Sequence, residues 1–231
     1  LSIVLSTYNE EHNIRQTLTK LMNNSLISEV IIIDDNSNDQ TVKIINEIKN
    51  DKIRLFIRKN TRGFASAFIF GLTMANGKYI MRFDVDMHSE IDFFLNTFEK
   101  NTDKECLIFS RYVANGDDQR VLYRKLSSLI INKLCQYLLS NKIKDYTSCI
   151  MFFKKNILMD IMPKNTHYAN FIIEFVFFLI LKKKNYSEVG FIQKKNTELN
   201  SKSSPNILGF LKNGFFYLLT IFRCILFKIK I

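Results

Sequence analysis

The chain carries no G-x-G-x-x-G and no Walker pattern among its seven glycines, which argues against a dinucleotide site or a P-loop phosphate cradle. It has no C-x-x-C either. Cys106, Cys135, Cys149 and Cys224 are scattered, and read as reduced thiols used as small hydrophobes rather than as a disulfide or metal framework. The C-terminal stretch 206–231 holds no uninterrupted twenty-residue apolar run, so a membrane-spanning helix is not expected there. Internal repeats are absent, and nothing resembling a secretory leader stands at the start. Leu1 already lies in a strand-like run, so an initiator Met and a few residues are expected to be missing. What is present is apolar: 47% hydrophobic residues exclude general disorder, and 231 residues suit one domain with a sizeable core and a small appendage.

The net charge of +11 is unevenly placed. Residues 182–231 hold ten Lys/Arg against two acids, whereas residues 1–181 hold twenty-three against twenty. A basic C-terminal fifth rich in Phe, Leu and Ile points to an anionic lipid surface more than to nucleic acid, for which no recognition motif is present. Wound as a helix, Lys212, Arg223 and Lys230 fall nearly on one line, because separations of eleven and seven residues approach whole turns. The rest of that face is Phe, Leu, Ile and Tyr. The pattern suits a helix lying in a bilayer interface, with an ordinary core or oligomer helix as the alternative.

Over the first 110 residues, strand-like and helix-like segments alternate. Strands are expected at Leu1–Ser6, Glu29–Ile33, Ile53–Ile57, Tyr79–Phe83 and Cys106–Ser110. Helices are expected around Glu10–Met22, from Asp39, over Gly63–Ala75 and over Ile91–Phe98. This order predicts an α/β sheet, mostly parallel, with helices on both faces and ligands at the carboxyl ends of the strands. Beyond residue 120 the spacing predicts a long helix over Tyr123–Leu139, a strand over Asp145–Phe153, an apolar segment Phe171–Leu181 and a strand at Glu188–Ile192. A polar linker is expected over Lys194–Pro205.

Polar clusters fall where the early strands end. Thr7-Tyr8-Asn9-Glu10 follows the first, Asp34-Asp35-Asn36-Ser37 the second, Asp84-Val85-Asp86 the fourth and Ser110-Arg111-Tyr112 the fifth. In Asp84-Val85-Asp86, alternation on an extended segment sends both carboxylates to one side, where a hard divalent cation can be held with positions left for diphosphate oxygens. His88 is a third candidate ligand; it reads equally as a loop histidine with no metal role.

With these positions in view, the chain resembles family 2 glycosyltransferases of the GT-A fold, and within them the dolichol- and undecaprenyl-phosphate sugar transferases. The resemblance spans nearly the whole chain. It rests on the four clusters above together with Arg62-Gly63, Ala67, Gly71, Arg124-Lys125, Asp145-Tyr146-Thr147-Ser148, Phe171 to Glu174 and Lys202-Ser203-Ser204. It implies a Rossmann-like GT-A domain over residues 1–200 and a membrane-associating amphipathic segment over 201–231. It further implies a hexosyltransferase with a nucleotide-sugar site formed by Thr7, Tyr8, Glu10, Asp34, Asp35, Arg62, Gly63, Asp84 and Lys202. Mg²⁺ or Mn²⁺ would sit on Asp84, Asp86 and His88, with Asp86, Arg111, Arg124 and Asp145 catalytic. The implied reaction is inverting transfer from GDP-mannose or a UDP-hexose to a polyprenyl phosphate at the cytoplasmic face of a membrane, in cell-envelope glycan synthesis.

Two departures from the family pattern stand out. Ile150 and Met151 occupy places where an aromatic and a basic residue are usual, and no Arg-Gly precedes the Ser/Lys stretch near Lys202. Other readings stay open here. A sugar hydroxyl as acceptor would need a base, for which Asp145 is the first candidate, although Asp145 also reads as a cap or turn residue. A non-catalytic nucleotide-sugar-binding protein would keep the same pocket.

Overall fold

The computed structural model describes residues 1–163, 170–194 and 207–229, with side chains from residue 213 in the last segment. The chain divides into two compact units, Leu1–Glu105 with Ile150–Ile157, and Cys106–Cys149 with Leu158–Ile231.

The first unit is built on strands β1 (Ser2–Thr7), β2 (Glu29–Asp34), β3 (Ile53–Ile57), β4 (Tyr79–Arg82) and, from late in the chain, β7 (Met151–Lys154). They lie in the order β3-β2-β1-β4-β7. The first four pair in parallel, and β7 runs antiparallel to β4. Helices α1 (Ile14–Met22) and α2 (Thr41–Glu47) connect the parallel neighbours β1–β2 and β2–β3, α3 (Phe64–Met74) carries the chain from edge strand β3 back across to β4 beside β1, and α4 (Ile91–Glu99) follows β4. The central strands are covered on both faces, as parallel strands must be: Ile3, Val4, Leu5 and Ile31 to Ile33 have no exposed surface. Burying each such side chain stabilises the fold by about 1.5–3 kcal/mol. Helix α1 buries Ile14, Thr17, Leu18 and Leu21, the spacing of a single helical face. Helix α3 sits so close to β1 that a Cβ on Gly71 would come within 2.4 Å of the Val4 side chain.

The second unit contains β5 (Cys106–Ser110), paired in parallel with β8 (Tyr186–Gly190), and a short ribbon of β6 (Asp117–Asp118) with β9 (Ile192–Gln193). Its helices are α5 (Leu122–Leu138), the one-turn α6 (Leu158–Ile161), α7 (Phe171–Leu181) and α8 (Ile207–Ile229). Eight apolar residues of α7 are buried, and Phe177 and Phe178 meet Phe227 of α8 edge to face. Helix α8 also reaches the end of α5, where the Lys228 ammonium donates to the Leu139 carbonyl at 2.9 Å.

The expected elements are present with two notable differences. The strand expected over Asp145–Phe153 begins only at Met151. In the preceding turn Asp145 Oδ1 accepts from the Thr147 amide, and Ser148 Oγ donates to the Phe109 carbonyl; such side-chain bonds compete with a ladder. The expected boundary at residue 200 falls outside the described residues, as does most of the expected linker, while α8 packs on α7 and α5 as part of the second unit. Among the described residues no helix is long and apolar enough to cross a membrane.

Candidate active site

In the first unit, the carboxyl ends of β1 and β2 are locked in register, with Thr7 opposite Asp34. Thr7 Oγ1 donates to Asp34 Oδ2 at 2.7 Å, and Ser37 donates to both Asp34 oxygens, from its amide at 2.8 Å and its hydroxyl at 2.6 Å. Asp34 has no exposed surface. Thr7 and Asp34, expected in the nucleotide pocket, are therefore the internal frame of the rim, because their side-chain bonds hold the two strand ends together. Asn9 and Asn36 turn the chain at the two strand ends with φ of 54° and 58°, the left-handed region that asparagine tolerates best after glycine. The Asn9 side chain then accepts from the Asn38 amide, closing one loop onto the other.

That frame aims Asp35 outward into a cleft of about 400 Å³ shared with Tyr8, Asn38, Arg58 and Arg62. Arg58 Nε donates to Asp35 Oδ1 at 2.7 Å, and the Gly63 amide donates to Oδ2 at 2.8 Å. Gly63 has φ of 148°, a conformation closed to side chains with a Cβ, and this presents its N–H to the carboxylate. The Arg62 guanidinium lies 3.5 Å from the Tyr8 ring centroid. The structure thus brings Tyr8, Asp35, Arg62 and Gly63 together. Arg58 was not singled out from the sequence; its signal was its place immediately after β3, in the same loop as Arg62.

The segment after β4 keeps the two-residue alternation. Phe83, Val85 and Met87 are buried while Asp84, Asp86 and His88 are partly exposed. Thr17 Oγ1 anchors the segment by donating to the Val85 carbonyl at 2.6 Å. Asp84 pairs with the buried Arg82 guanidinium. Asp86 Oδ1 and His88 Nδ1 are buried and have no hydrogen-bond partner. Burial, followed by the charges of Asp84 and Glu10, pushes the Asp86 carboxyl up to about 8. A buried, unsatisfied carboxylate oxygen among like charges is what an oxygen-seeking divalent cation would relieve, so Asp84 and Asp86 fit such an ion. His88 fits less well: it opens a 3₁₀ turn, and no group of three His, Cys, Asp or Glu among the described residues converges as a ready-made metal site.

In the second unit, Arg111 and Asp145 are brought together, but as a buried pair. Arg111 donates to Asp145 from Nε at 2.8 Å, from Nη2 at 2.7 Å and from its own amide at 3.0 Å. Nη2 also reaches Thr147 Oγ1, and Nη1 reaches Gln193. Burial alone would favour the neutral acid, yet Arg111 holds the Asp145 carboxyl below the usual range. With no exposed surface and Arg111 bonded to it, Asp145 stands in this structure as a buried ion-pair partner, closer to the turn-residue reading than to the open general base a sugar-hydroxyl acceptor would need. Nε and Nη2 of Arg111 are committed internally and Nη1 reaches Gln193 at 3.3 Å, so most of the guanidinium is turned to structure rather than to an acceptor phosphate. Behind them Ser128, Asn132 and Thr147 are linked by hydrogen bonds, and the Asp145 amide donates to Glu188 at 2.9 Å. A second pair went unnoticed in the sequence: Arg120 grips Asp118 through Nε at 2.8 Å and Nη2 at 2.7 Å. Arg124 stands on the first turn of α5, partly exposed, with its Nε 3.2 Å from the Tyr123 hydroxyl. Lys202 lies outside the described residues.

An α/β fold with a carboxylate-lined, parallel strand rim is the architecture of GT-A glycosyltransferases. The model of glycosyl transferase family 2 matches residues 2–162, and the chain belongs to that family. It is 28% identical over 136 residues to the dolichol-phosphate mannosyltransferase of Saccharomyces cerevisiae, covering 55% of this chain and 51% of that protein. An uncharacterized glycosyltransferase of Haemophilus influenzae is 37% identical over 89 residues, 37% of this chain and 36% of its own. The matches thus span about half or less of these relatives' length. Glucosyl-3-phosphoglycerate synthase from Mycobacterium tuberculosis, solved with Mn²⁺, UDP and glucosyl-3-phosphoglycerate, shares the fold with a TM-score of 0.71 at 13% identity, covering 96% of this chain and 78% of that one.

Proposed function

We propose that this protein is an inverting hexosyltransferase that moves a sugar from a nucleoside-diphosphate donor to a polyprenyl phosphate at the cytoplasmic face of a membrane. The observation that carries the reading is the pairing, within one unit, of the Asp35 cleft with an outward Asp84/Asp86 pair whose Asp86 oxygen lacks a partner. Tyr8, Asp35 and Arg62 would hold the nucleoside, and Glu10 lies close enough to Asp86 to act on its charge. A divalent cation, Mg²⁺ or Mn²⁺, held by Asp84 and Asp86 would supply positive charge to the departing diphosphate. The tuberculosis synthase bound to Mn²⁺ and UDP supports a divalent ion in this role.

A lipid phosphate is already ionised near neutral pH, so its oxygen attacks without a base. The burial of Asp145 favours that acceptor over a sugar hydroxyl, since it withdraws the expected base. Arg124, partly exposed, would screen the acceptor phosphate. Helix α8 supports a membrane setting: Phe215, Leu218, Phe222, Leu226 and Ile229 are exposed at helical spacing, with Arg223 and Lys228 beside them. Such a face suits an anionic bilayer interface. Yeast dolichol-phosphate mannosyltransferase, by its name, uses a lipid phosphate.

The test is a donor panel of GDP-mannose, UDP-glucose, UDP-galactose and UDP-GlcNAc, each with a short polyprenyl phosphate and Mg²⁺ or Mn²⁺. The expected result is nucleoside-diphosphate release matched by a glycosyl-phospholipid in the mass spectrum. Transfer only to sugar hydroxyls would overturn the acceptor, and binding without any transfer would leave a nucleotide-sugar-binding protein.

A further inference from the structure

We infer that Arg82 is a positioning residue of the cation site. It stands as the built-in counter-charge of Asp84, so that the Asp84/Asp86 pair takes a divalent ion together with a nucleoside diphosphate rather than ahead of it. The inference rests on the donor-site reading above.

Arg82 occupies a place that a sheet ordinarily fills with an apolar side chain. It is the last residue of β4, opposite Val4 of β1 and Met151 of β7, and Ile80 and Met81 before it have no exposed surface. Its own side chain is 3% exposed. Arginine stays charged even there, and a charge so deeply placed needs an opposite partner. Asp84 is that partner, yet the Asp84 side chain is 46% exposed. The pair is therefore lopsided, with the cation anchored in the sheet and the carboxylate at the rim. The guanidinium is held on another side as well, its central carbon lying 4.4 Å from the Phe64 ring centroid. Phe64 directly follows Gly63, whose amide donates to Asp35. One buried side chain thus touches both the carboxylate pair and the loop that lines the nucleotide cleft.

Two effects on a cation oppose each other here. Arg82 bonds Asp84 through Oδ1, while Oδ2 accepts no hydrogen bond among the described residues. That bond fixes a half-exposed carboxylate in one orientation and favours an ion at the other oxygen. The charge acts the other way, because a guanidinium that cannot move off repels a divalent ion on the same carboxylate. Fixing one short side chain changes affinity by less than about tenfold. The repulsion, doubled for a divalent ion, exceeds that even at an effective dielectric of about 20. Repulsion wins, and the unliganded pair holds an ion weakly. The diphosphate brings the negative charge that tips the balance.

Mn²⁺ binding to the full chain, read from the paramagnetic resonance of free Mn²⁺, tests this without turnover. It is measured without nucleotide and with saturating UDP or GDP. For the parent, Mn²⁺ alone is expected to bind about tenfold or more weaker than with a nucleotide. Arg82→Met and Arg82→Gln remove the charge and should tighten Mn²⁺ alone about tenfold, where loss of a merely structural pair would loosen it. Arg82→Lys keeps the charge and should stay near the parent value. Equal Mn²⁺ affinity with and without a bound nucleotide in the parent overturns the inference. So does a lack of tightening in the neutral variants, or equal tightening in Arg82→Lys. Should both neutral variants fail to fold, the parent and Arg82→Lys measurements still decide it. If neither nucleotide binds at any Mn²⁺ concentration, the donor-site reading falls, while tighter Mn²⁺ binding in the neutral variants would keep the counter-charge role of Arg82.

Discussion

Arg111 closes on Asp145 with Nε and Nη2, 2.8 and 2.7 Å from the two carboxylate oxygens, and both side chains are almost wholly withdrawn from solvent. Breaking one side of such a pair leaves the other charge buried and unpaired. Asp145→Asn or Arg111→Leu should lower stability by about 3–5 kcal/mol in urea titrations. A variant of normal stability that had lost only transfer would restore a direct chemical role to these residues.

The pH dependence of stability follows from the same acids. Asp118 is lowered from 3.8 to about 2, its burial outweighed by Arg120 and Arg111, and Asp145 is lowered in the same sense by Arg111. A depressed folded value means the unfolded chain takes up the proton first. The stabilisation is therefore complete above about pH 4 and lost as pH falls towards about 2. Urea midpoints measured from pH 6 to 2.5 should fall in that acid window, and the fall should be smaller in Asp118→Asn.

Asp86→Asn replaces a buried carboxylate oxygen that has no partner and faces Asp84 and Glu10. The melting temperature should hold or rise, while transfer should fall about a hundredfold or more if the carboxylate carries a cation. Activity close to that of the parent would exclude Asp86 from the site.

Gly63→Ala tests the cleft through the backbone. The space around a new Cβ is open, with Ser66 Oγ at 3.5 Å, so any cost comes from the φ of 148°. About 1–3 kcal/mol of strain is expected, or a shifted loop that withdraws the amide from Asp35. Calorimetry should show weaker UDP binding in either case.

Phe222→Asp places a charge on the exposed stripe of α8, where Phe222 is 56% exposed. Co-sedimentation with anionic vesicles at low salt should drop, with UDP binding unchanged. If the parent protein itself stays in the supernatant, the stripe serves another interface.

Much of the architecture was readable in the linear order. Apolar strands ending in polar clusters, joined by helices of single-face spacing, prescribe a parallel sheet because local periodicity and burial demand agree. Asp84-Val85-Asp86 was legible for the same reason: a period of two sends alternate residues to opposite sides, and Phe83, Val85 and Met87 are indeed the buried set. The reading of Asp145–Phe153 as one strand failed where side-chain bonds from Asp145 and Ser148 took over the backbone.

What the sequence by itself determined, then, is which residues line the strand ends and that the chain is a family 2 α/β protein. Tertiary structure alone decided what each polar residue does there. Asp34 and Asp35 are neighbours of the same chemistry, yet Thr7 and Ser37 consume one while the other faces the cleft against Arg58. Asp145 reads equally as a base or as a turn residue until Arg111, thirty-four residues away, is found bonded to it. Proton affinity and ligand access depend on burial and on partners distant in the chain, and no local pattern encodes those.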